Sequence, residues 1–356
     1  MTEPGAGATP MRGADAPGIL ILPDVTFEKY HDADRPLPFE ATPRMVKREL
    51  ETRLPGVSVE IAREWDASRP QLEVARIVLA QRLTRAMLDV AKQAQWVQFP
   101  GSGPDHFFKS SGTTPEDFVA RGVKLLNSPG ISRVPVAEHV MALALALLRG
   151  IPRALRQQSR REWRIFSGDQ LAGKTCGIIG LGEIGARVAE LAKAFGMRVV
   201  GTKRRPETYR GRADEVYGPE DTDRVVREAD VLVLACPLTP ETRGLMDRRR
   251  FGLMKPTAYF INISRGENVD EPALVEALRR RAIAGAGLDT FGPLDVTNHK
   301  LMEALAPTSE LWELDNVIIM PNNAASTPRY FEYFADMVAE NYRRGQRGEP
   351  FISQVA

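Results

Sequence analysis

The sequence predicts an α/β protein with two doubly wound parallel sheets. Short apolar runs bounded by turn residues alternate with amphipathic stretches, the pattern of buried parallel strands connected by helices. The pattern also occurs twice, once before residue 127 and again from Thr175 onward. Thirdly, a glycine-punctuated turn joins an apolar run to a helical stretch at the start of the second series.

In the first series Gly18–Pro23 reads as a buried strand and Pro43–Leu54 as an amphipathic helix. Val57–Ala62, Ala75–Leu79 and Gln95–Phe99 read as further strands, the last ending in the loop Pro100-Gly-Ser-Gly-Pro104. Val136–Gln158 reads as one long helix, and the second series follows with strands at Thr175–Gly180, Met197–Gly201, Val231–Ala235, Ala258–Ile263 and Val317–Met320. The amphipathic stretch Pro328–Arg347 is of a kind that crosses back to the first unit. The expected division is therefore a disordered tail over 1–17, a first domain of 18–126 with 328–356, and a second of 127–327. No Ser/Gly linker, low-complexity stretch or short repeat separates them.

A chain of 356 residues, 43% hydrophobic and 26% charged, supports two separate cores. Its formal net charge of +2 is spread along the chain, which argues against nucleic acid as a partner. Cys176 and Cys236 stand far apart, outside any Cys/His cluster, so neither a metal nor a disulfide is expected and a reducing cytoplasm suits them. The longest apolar run, Val140–Leu148, falls well short of the ~20 residues that span a bilayer, and the N-terminal tail lacks the apolar core of a signal peptide.

The glycine turn carries the first chemistry. Thr175-Cys-Gly-Ile-Ile-Gly180 leads into Gly180-Leu-Gly182-Glu183-Ile184-Gly185, and Ala186–Phe195 has helical periodicity. In that setting Gly180 permits the tight turn, Gly182 lets backbone approach a pyrophosphate, and Gly185 lets helix and strand pack closely. The second domain is thus a Rossmann dinucleotide-binding domain. An NAD site wants a carboxylate at the end of the next strand, but Val199-Val-Gly201 runs into Thr202-Lys-Arg-Arg205. Lys203, Arg204 and Arg205 would attract a 2′-phosphate, so NADP is the expected cofactor.

From about Gln95 to Val355 the chain resembles the D-isomer-specific 2-hydroxyacid dehydrogenases, especially the glyoxylate/hydroxypyruvate reductase-like branch. The likeness rests on Pro100-Gly-Ser-Gly-Pro-Asp105, Asn127-Ser-Pro-Gly, Val136-Ala-Glu-His139, the glycine fingerprint, Cys236-Pro-Leu-Thr-Pro-Glu-Thr242, Asn262-Ile-Ser-Arg-Gly266 and Ala284-Gly-Ala-Gly-Leu-Asp289. Residues 1–94 match only in general pattern. The resemblance implies that the first domain, completed by the C-terminal helix, takes the substrate and that a cleft lies between the domains. It implies that amides around Gly101, Ser102 and Gly103 hold a substrate carboxylate, and that Arg265 binds the carboxylate and polarises the reacting carbonyl. Asp289 takes the place of the nicotinamide anchor, while Val136, Cys236, Pro237, Thr242 and Ile263 match positions lining the cofactor. It also implies a homodimer, expected through the apolar helix from Val136 onward.

Two residues depart from the family pattern. Where the family has a proton-donating histidine this chain has Asn322, in Pro321-Asn-Asn323-Ala-Ala-Ser-Thr327, and where it has the partner glutamate this chain has Leu294. Asparagine hydrogen-bonds an oxygen but delivers no proton near neutral pH. The stretch between Asp289 and Asn322 is longer than the family pattern and contains Asp295, Asn298 and His299, of which Asp295 and His299 could supply a substitute donor. His106 is another. His31 reads as solvated, and His139, beside Glu138 on an apolar helix, as a hydrogen-bonded structural residue.

Three functions stay open. One is an NADPH-dependent reductase of a small carboxylate-bearing substrate whose acceptor needs no protein acid, such as an iminium carbon. A second is an ordinary 2-oxo acid reductase with a relocated acid. The third is an NADP-binding sensor or scaffold without catalysis, against which the retained Arg265 and Gly-Ser-Gly loop argue.

Overall fold

A computed structural model describes residues 18–22, 41–62, 68–292, 306, 308–327 and 329–356. The chain divides into two units, one reaching to Ile131 and resuming at Ser326, the other beginning at Ser132 and ending at Ala325. The division falls a few residues from the expected 126/127 and 327/328. The turn after Leu126 stays with the first unit because its amides bond there, Asn127 N to Ser353 O (3.3 Å) and Ser128 N to Gly101 O (2.7 Å).

Three-residue apolar runs build the first unit's sheet: β1 (Ile19–Ile21), β2 (Val59–Ile61), β3 (Ile77–Leu79), β4 (Trp96–Gln98) and β5 (Lys124–Leu126). All pair in parallel in the order β2-β1-β3-β4-β5, with Ile19 opposite both Val59 and Ile77. Leu20, Val78, Val97 and Leu125 are buried in its core. The helix Tyr330–Arg347 returns to this unit and packs on the helix Ala41–Arg53.

The second unit has β6 (Thr175–Ile179), β7 (Arg198–Thr202), β8 (Glu215–Tyr217), β9 (Val231–Leu234), β10 (Tyr259–Asn262), β11 (Gly285–Leu288) and β12 (Val317–Ile319). They form one parallel sheet in the order β12-β11-β10-β9-β6-β7-β8. Strand order reverses between β6 and β9, the place where such sheets open a crevice beyond the strand ends. The strands at Lys124, Glu215 and Gly285 carry no apolar run of their own. Glycines suit β11 because of packing: a Cβ at Gly287 would lie 3.1 Å from that of Leu143, and one at Gly285 would lie 2.5 Å from Asn316 O.

The expected single helix Val136–Gln158 is instead two, Arg133–Leu148 and Ile151–Ser159, bent by 64°. Gly150 sits in the left-handed region (φ +69°) and Pro152 lies in the first turn of the second helix, so a continuous hydrogen-bond ladder stops there. The apolar residues of the first piece, including Val140, Leu143, Ala144 and Leu148, are buried in their own unit. The exposed large apolar residues of the expected helix lie in its second piece, Ile151 and Leu155. Among the described residues no single helix is long and apolar enough to cross a membrane.

Candidate active site

The phosphate loop shows a glycine requirement at two of its three positions and open space at the third. Gly180 has φ +104°, and a Cβ there would stand 2.7 Å from Cys236 N, so the loops after β6 and β9 meet backbone to backbone. A Cβ at Gly185 would strike Gly180 O at 2.2 Å. At Gly182, the N-cap of the helix Glu183–Ala194, an added Cβ meets nothing within 4 Å. Two glycines let the protein pack on itself, and the third leaves open space before a helix N-terminus. That donor set fits a dinucleotide pyrophosphate. The helix begins at Glu183, three residues earlier than its periodicity suggested.

Beside this loop lies a cavity of about 460 Å³ whose lining includes Arg133, Gly182, Glu183, Lys203, Tyr209 and Arg210. Of the three cations expected at the ribose, only Lys203 lines it, with Nζ bonded to Leu181 O at 3.0 Å. Arg204 and Arg205 are exposed. The Glu241 carboxyl is held below its usual range by the Thr239 hydroxyl first, with its own backbone and the Arg204 charge assisting. Arg210 escaped the sequence reading because it lies beyond the strand-end turn. Its Nη1 is held by the carbonyls of Glu207 (2.7 Å) and Tyr209 (2.8 Å).

The loops after β9, β10, β11 and β12 are tied together. Asn268, fully buried, donates to Thr242 O (2.9 Å) and so bridges the β9 and β10 loops. Asn262 Oδ1 accepts from Ser264 N (3.0 Å) and Oγ (2.7 Å), while its Nδ2 donates to Arg265 O (3.2 Å). These bonds fix the backbone that presents Arg265, a half-buried residue whose Nη1 donates to Ser264 O (2.9 Å). At Gly266 a Cβ would collide with Phe291 C at 2.1 Å, which brings the β10 and β11 loops into direct contact. Asp289, 4% exposed, accepts from the amides of Asn323 (3.0 Å) and Ala324 (3.3 Å), joining β11 to β12. Arg265, Asp289 and Asn322 are thus brought to one set of linked loops. The amide networks were missed because nothing local in sequence marks a buried asparagine as a bridge.

Asn322 has φ +53°, and its N–H closes on Met320 O at 2.9 Å. Cys236 is buried and its thiol is pushed up to about 11 by that burial. Val136 is buried, Ile263 half-buried and Pro237 exposed. The Thr242 hydroxyl faces its own loop, donating to Pro237 O and accepting from Thr239 N, each at 2.7 Å. His139 departs from expectation. Its Nε2 is buried with no hydrogen-bond partner, 3.6 Å from an Asp289 oxygen that backbone amides already occupy, and burial lowers its pKa.

In the first unit Gly101, Ser102 and Gly103 are half-buried at the end of β4, before the helix Pro104–Ser111. His106, in that helix's first turn, has Nε2 3.5 Å from Asp105 Oδ2. The tail 1–17, His31, Leu294, Asp295, Asn298 and His299 lie outside the described residues.

A model of the D-isomer specific 2-hydroxyacid dehydrogenase NAD-binding domain matches residues 141–324. The glyoxylate reductase of Pyrococcus furiosus is 32% identical over 317 residues, 86% of this chain and 89% of its own length. The D-3-phosphoglycerate dehydrogenase of Methanocaldococcus jannaschii is 35% identical over 270 residues, and the match spans 75% of this chain but 48% of that longer relative. Among solved structures, a D-isomer specific 2-hydroxyacid dehydrogenase from Xanthobacter autotrophicus, in complex with NADPH and MES, has a TM-score of 0.73 and 29% identity, covering 96% of this chain and 98% of its own. The NADPH-dependent glyoxylate/hydroxypyruvate reductase of Sinorhizobium meliloti, in complex with NADP and sulfate, has a TM-score of 0.74 and 25% identity with the same coverage.

Proposed function

The chain belongs to the D-isomer specific 2-hydroxyacid dehydrogenase family, and from that premise we propose that it uses NADPH to reduce a small carboxylate-bearing substrate without a histidine acid. It is an NAD(P)-dependent oxidoreductase; the cofactor preference, substrate and residue roles are our reading. When bound, the nicotinamide supplies the hydride. The Gly180–Gly185 turn, with Glu183 and Ile184 opening its helix, takes the pyrophosphate, and Lys203, Arg204 and Arg205 take the 2′-phosphate. Val136, Cys236, Pro237, Thr242 and Ile263 line the dinucleotide, and Asp289 holds the nicotinamide end. The amides of the Gly101-Ser102-Gly103 loop and the Arg265 guanidinium hold the substrate carboxylate, and Arg265 also stabilises charge growing at the reacting centre.

The observation that carries this reading is Asn322. A carboxamide stands immediately before the amides that grip Asp289, where the resemblance puts an imidazole. An asparagine hydrogen-bonds and orients a substrate but cannot protonate an alkoxide. An iminium acceptor fits such a site, because hydride addition leaves a neutral amine and no oxyanion. NADPH oxidation should then be faster with glyoxylate plus a primary amine than with glyoxylate alone. Rates no faster with any of a panel of amines than with glyoxylate alone would remove the imine reading.

The names of the relatives favour a second reading, direct reduction of glyoxylate or a similar 2-oxo acid, with the proton coming from His106, Asp295 or His299. Vigorous turnover of glyoxylate with an inflection near pH 6.5–7 would select it. We also propose a homodimer in a reducing cytoplasm. Its support is the exposed apolar set Ile151, Leu155, Trp163 (94%) and Ile165 (91%), together with two free buried thiols. Light scattering giving a mass near the 39.4 kDa of one chain would refute the dimer.

A further inference from the structure

The loop Pro100–Gly103 carries little that would hold its shape by itself, yet each of its first three carbonyls is tied down. Pro100 O accepts from the Tyr330 hydroxyl at 2.7 Å. Gly101 O accepts from Ser128 N at 2.7 Å, and Ser102 O accepts from Asn127 Nδ2 at 2.6 Å. In a trans peptide the N–H points away from the carbonyl of the residue before it, so fixing a carbonyl fixes the next amide. Fixing Gly101 O and Ser102 O aims the amides of Ser102 and Gly103 the other way, and among the described residues neither amide donates to any group.

The ties themselves are braced. Asn127 is 8% exposed, and its Oδ1 accepts from the Ser353 hydroxyl, while its N–H reaches Ser353 O. Behind the loop Gln98 and Asn341, both fully buried, join Ser128 to the C-terminal helix through Gln98 Nε2 to Ser128 Oγ (3.0 Å) and Asn341 Nδ2 to Gln98 Oε1 (3.3 Å). Three buried carboxamides and a buried phenol would be costly in a core unless fully bonded, so the network specifies one arrangement.

We propose that Asn127 and Tyr330 are positioning residues: Tyr330 anchors the start of the loop at Pro100 O, and Asn127, with the Ser128 amide, turns the carbonyls of Ser102 and Gly101 inward and thereby presents the amides of Gly103 and Ser102 as a paired donor for one substrate carboxylate. The inference rests on the reading of this loop as the carboxylate cradle. The chain's last segment, from Tyr330 to Ser353, thus governs substrate affinity from a place that touches no substrate.

The test uses oxalate, a non-reducible dicarboxylate, titrated calorimetrically into the full-length protein loaded with NADP. Asn127→Asp keeps the size and the Ser353 bond but turns an acceptor toward Ser102 O; Tyr330→Phe removes only the hydroxyl. Each variant should bind oxalate at least ~10-fold more weakly and raise the glyoxylate KM similarly, with kcat within about threefold and the NADPH Kd unchanged. A merely structural defect would move the NADPH Kd and kcat as well. Gly101→Val, which crowds the cradle directly, separates the two ways of failing. If it weakens oxalate while Asn127→Asp and Tyr330→Phe do not, the positioning role is overturned and the cradle stands. If neither the wild type nor any variant responds in oxalate binding, the cradle reading falls and this inference with it. Should Asn127→Asp not fold, Tyr330→Phe alone decides.

Discussion

The molecule contains two glycine-rich loops at the ends of parallel strands, and they are built in opposite ways. The Gly180–Gly185 loop takes its shape from its own glycines packed against backbone: a left-handed one against the loop at Cys236, one under its own helix and an open one, all within six residues, with backbone bonds to Thr202 O. The Pro100–Gly103 loop takes its shape from residues as distant as Asn127, Tyr330 and Ser353. The first kind of loop is stiff because no other backbone conformation packs. The second is as stiff as the side chains that reach it, and so is adjustable by changes far away. The loops that carry Arg265 and Asn322 are of the second kind, held by Asn262, Asn268 and Asp289.

The largest effect should come from Arg265, which the proposed function places on the substrate carboxylate. Arg265→Ala should lower turnover of any carboxylate substrate by roughly 10²–10³ or more, since it removes an anchor and a stabiliser of developing charge together. Steady-state rates at saturating NADPH are the measurement. An Arg265→Ala enzyme within tenfold of wild type would mean that the loop network positions something else.

The contrast between loop types is sharpened within the fingerprint itself. Gly185→Ala drives a Cβ into Gly180 O and should cost about 1–3 kcal/mol of stability or more, as overpacking does. Gly182→Ala should leave the melting temperature near wild type, since its Cβ meets nothing, yet weaken NADPH binding by crowding the phosphates. Paired thermal melts and NADPH titrations separate the two. A Gly182→Ala protein with normal cofactor affinity would show that the open space beside Gly182 is not where the phosphates lie.

Cofactor choice comes next. NADPH should bind at least ~10-fold more tightly than NADH, about 1.4 kcal/mol. Neutralising Lys203, which lines the cavity, should cost more of that preference than neutralising exposed Arg205. Fluorescence titration checks both, and equal affinities in the wild type would remove the 2′-phosphate reading altogether.

What was legible in the sequence follows the same division. The two parallel sheets, the fingerprint and its helix could be read because apolar runs and glycines act locally. Gly150 and Pro152, visible as residues, were overridden by the apolar run around them, and one helix was expected where two exist. The strands β5, β8 and β11 escaped notice because none carries a long apolar run: β5 and β11 are buried by their neighbours, and β8 is only half-buried at the edge of its sheet. Asn127, Asn268 and Asn341 were opaque for the same reason, since a buried amide is identified by its partners and those are far off in the chain.

The Asn322 site allows a smaller, constructive test. Asn322→His with Leu294→Glu restores the pair that the resemblance places there, and should raise 2-oxo acid turnover ~10-fold or more; Asn322→His alone should gain less, lacking a carboxylate to orient it. No gain from the double variant would show that the loop's geometry, with Asn322 at φ +53°, does not aim a side chain at the reacting carbon.

The smallest effect concerns His139, which is buried beside a residue from a distant loop, Asp289. Burial lowers its pKa below the ordinary value of 6.5, although an Asp289 carboxylate oxygen lies 3.6 Å away. The folded protein therefore keeps the imidazole neutral at a pH where the unfolded chain has begun to bind a proton. The sign follows: this contribution to stability is fully present above about pH 6.5 and is lost as pH falls from there through the lowered folded-state value. His139→Gln removes the titration. Melting temperatures of wild type and variant should run parallel from pH 8 to about 7, and below about 6.5 the wild type should fall faster. If acidification instead favours the wild type, Asp289 holds an imidazolium, and its grip on Asn323 and Ala324 shares its charge with His139.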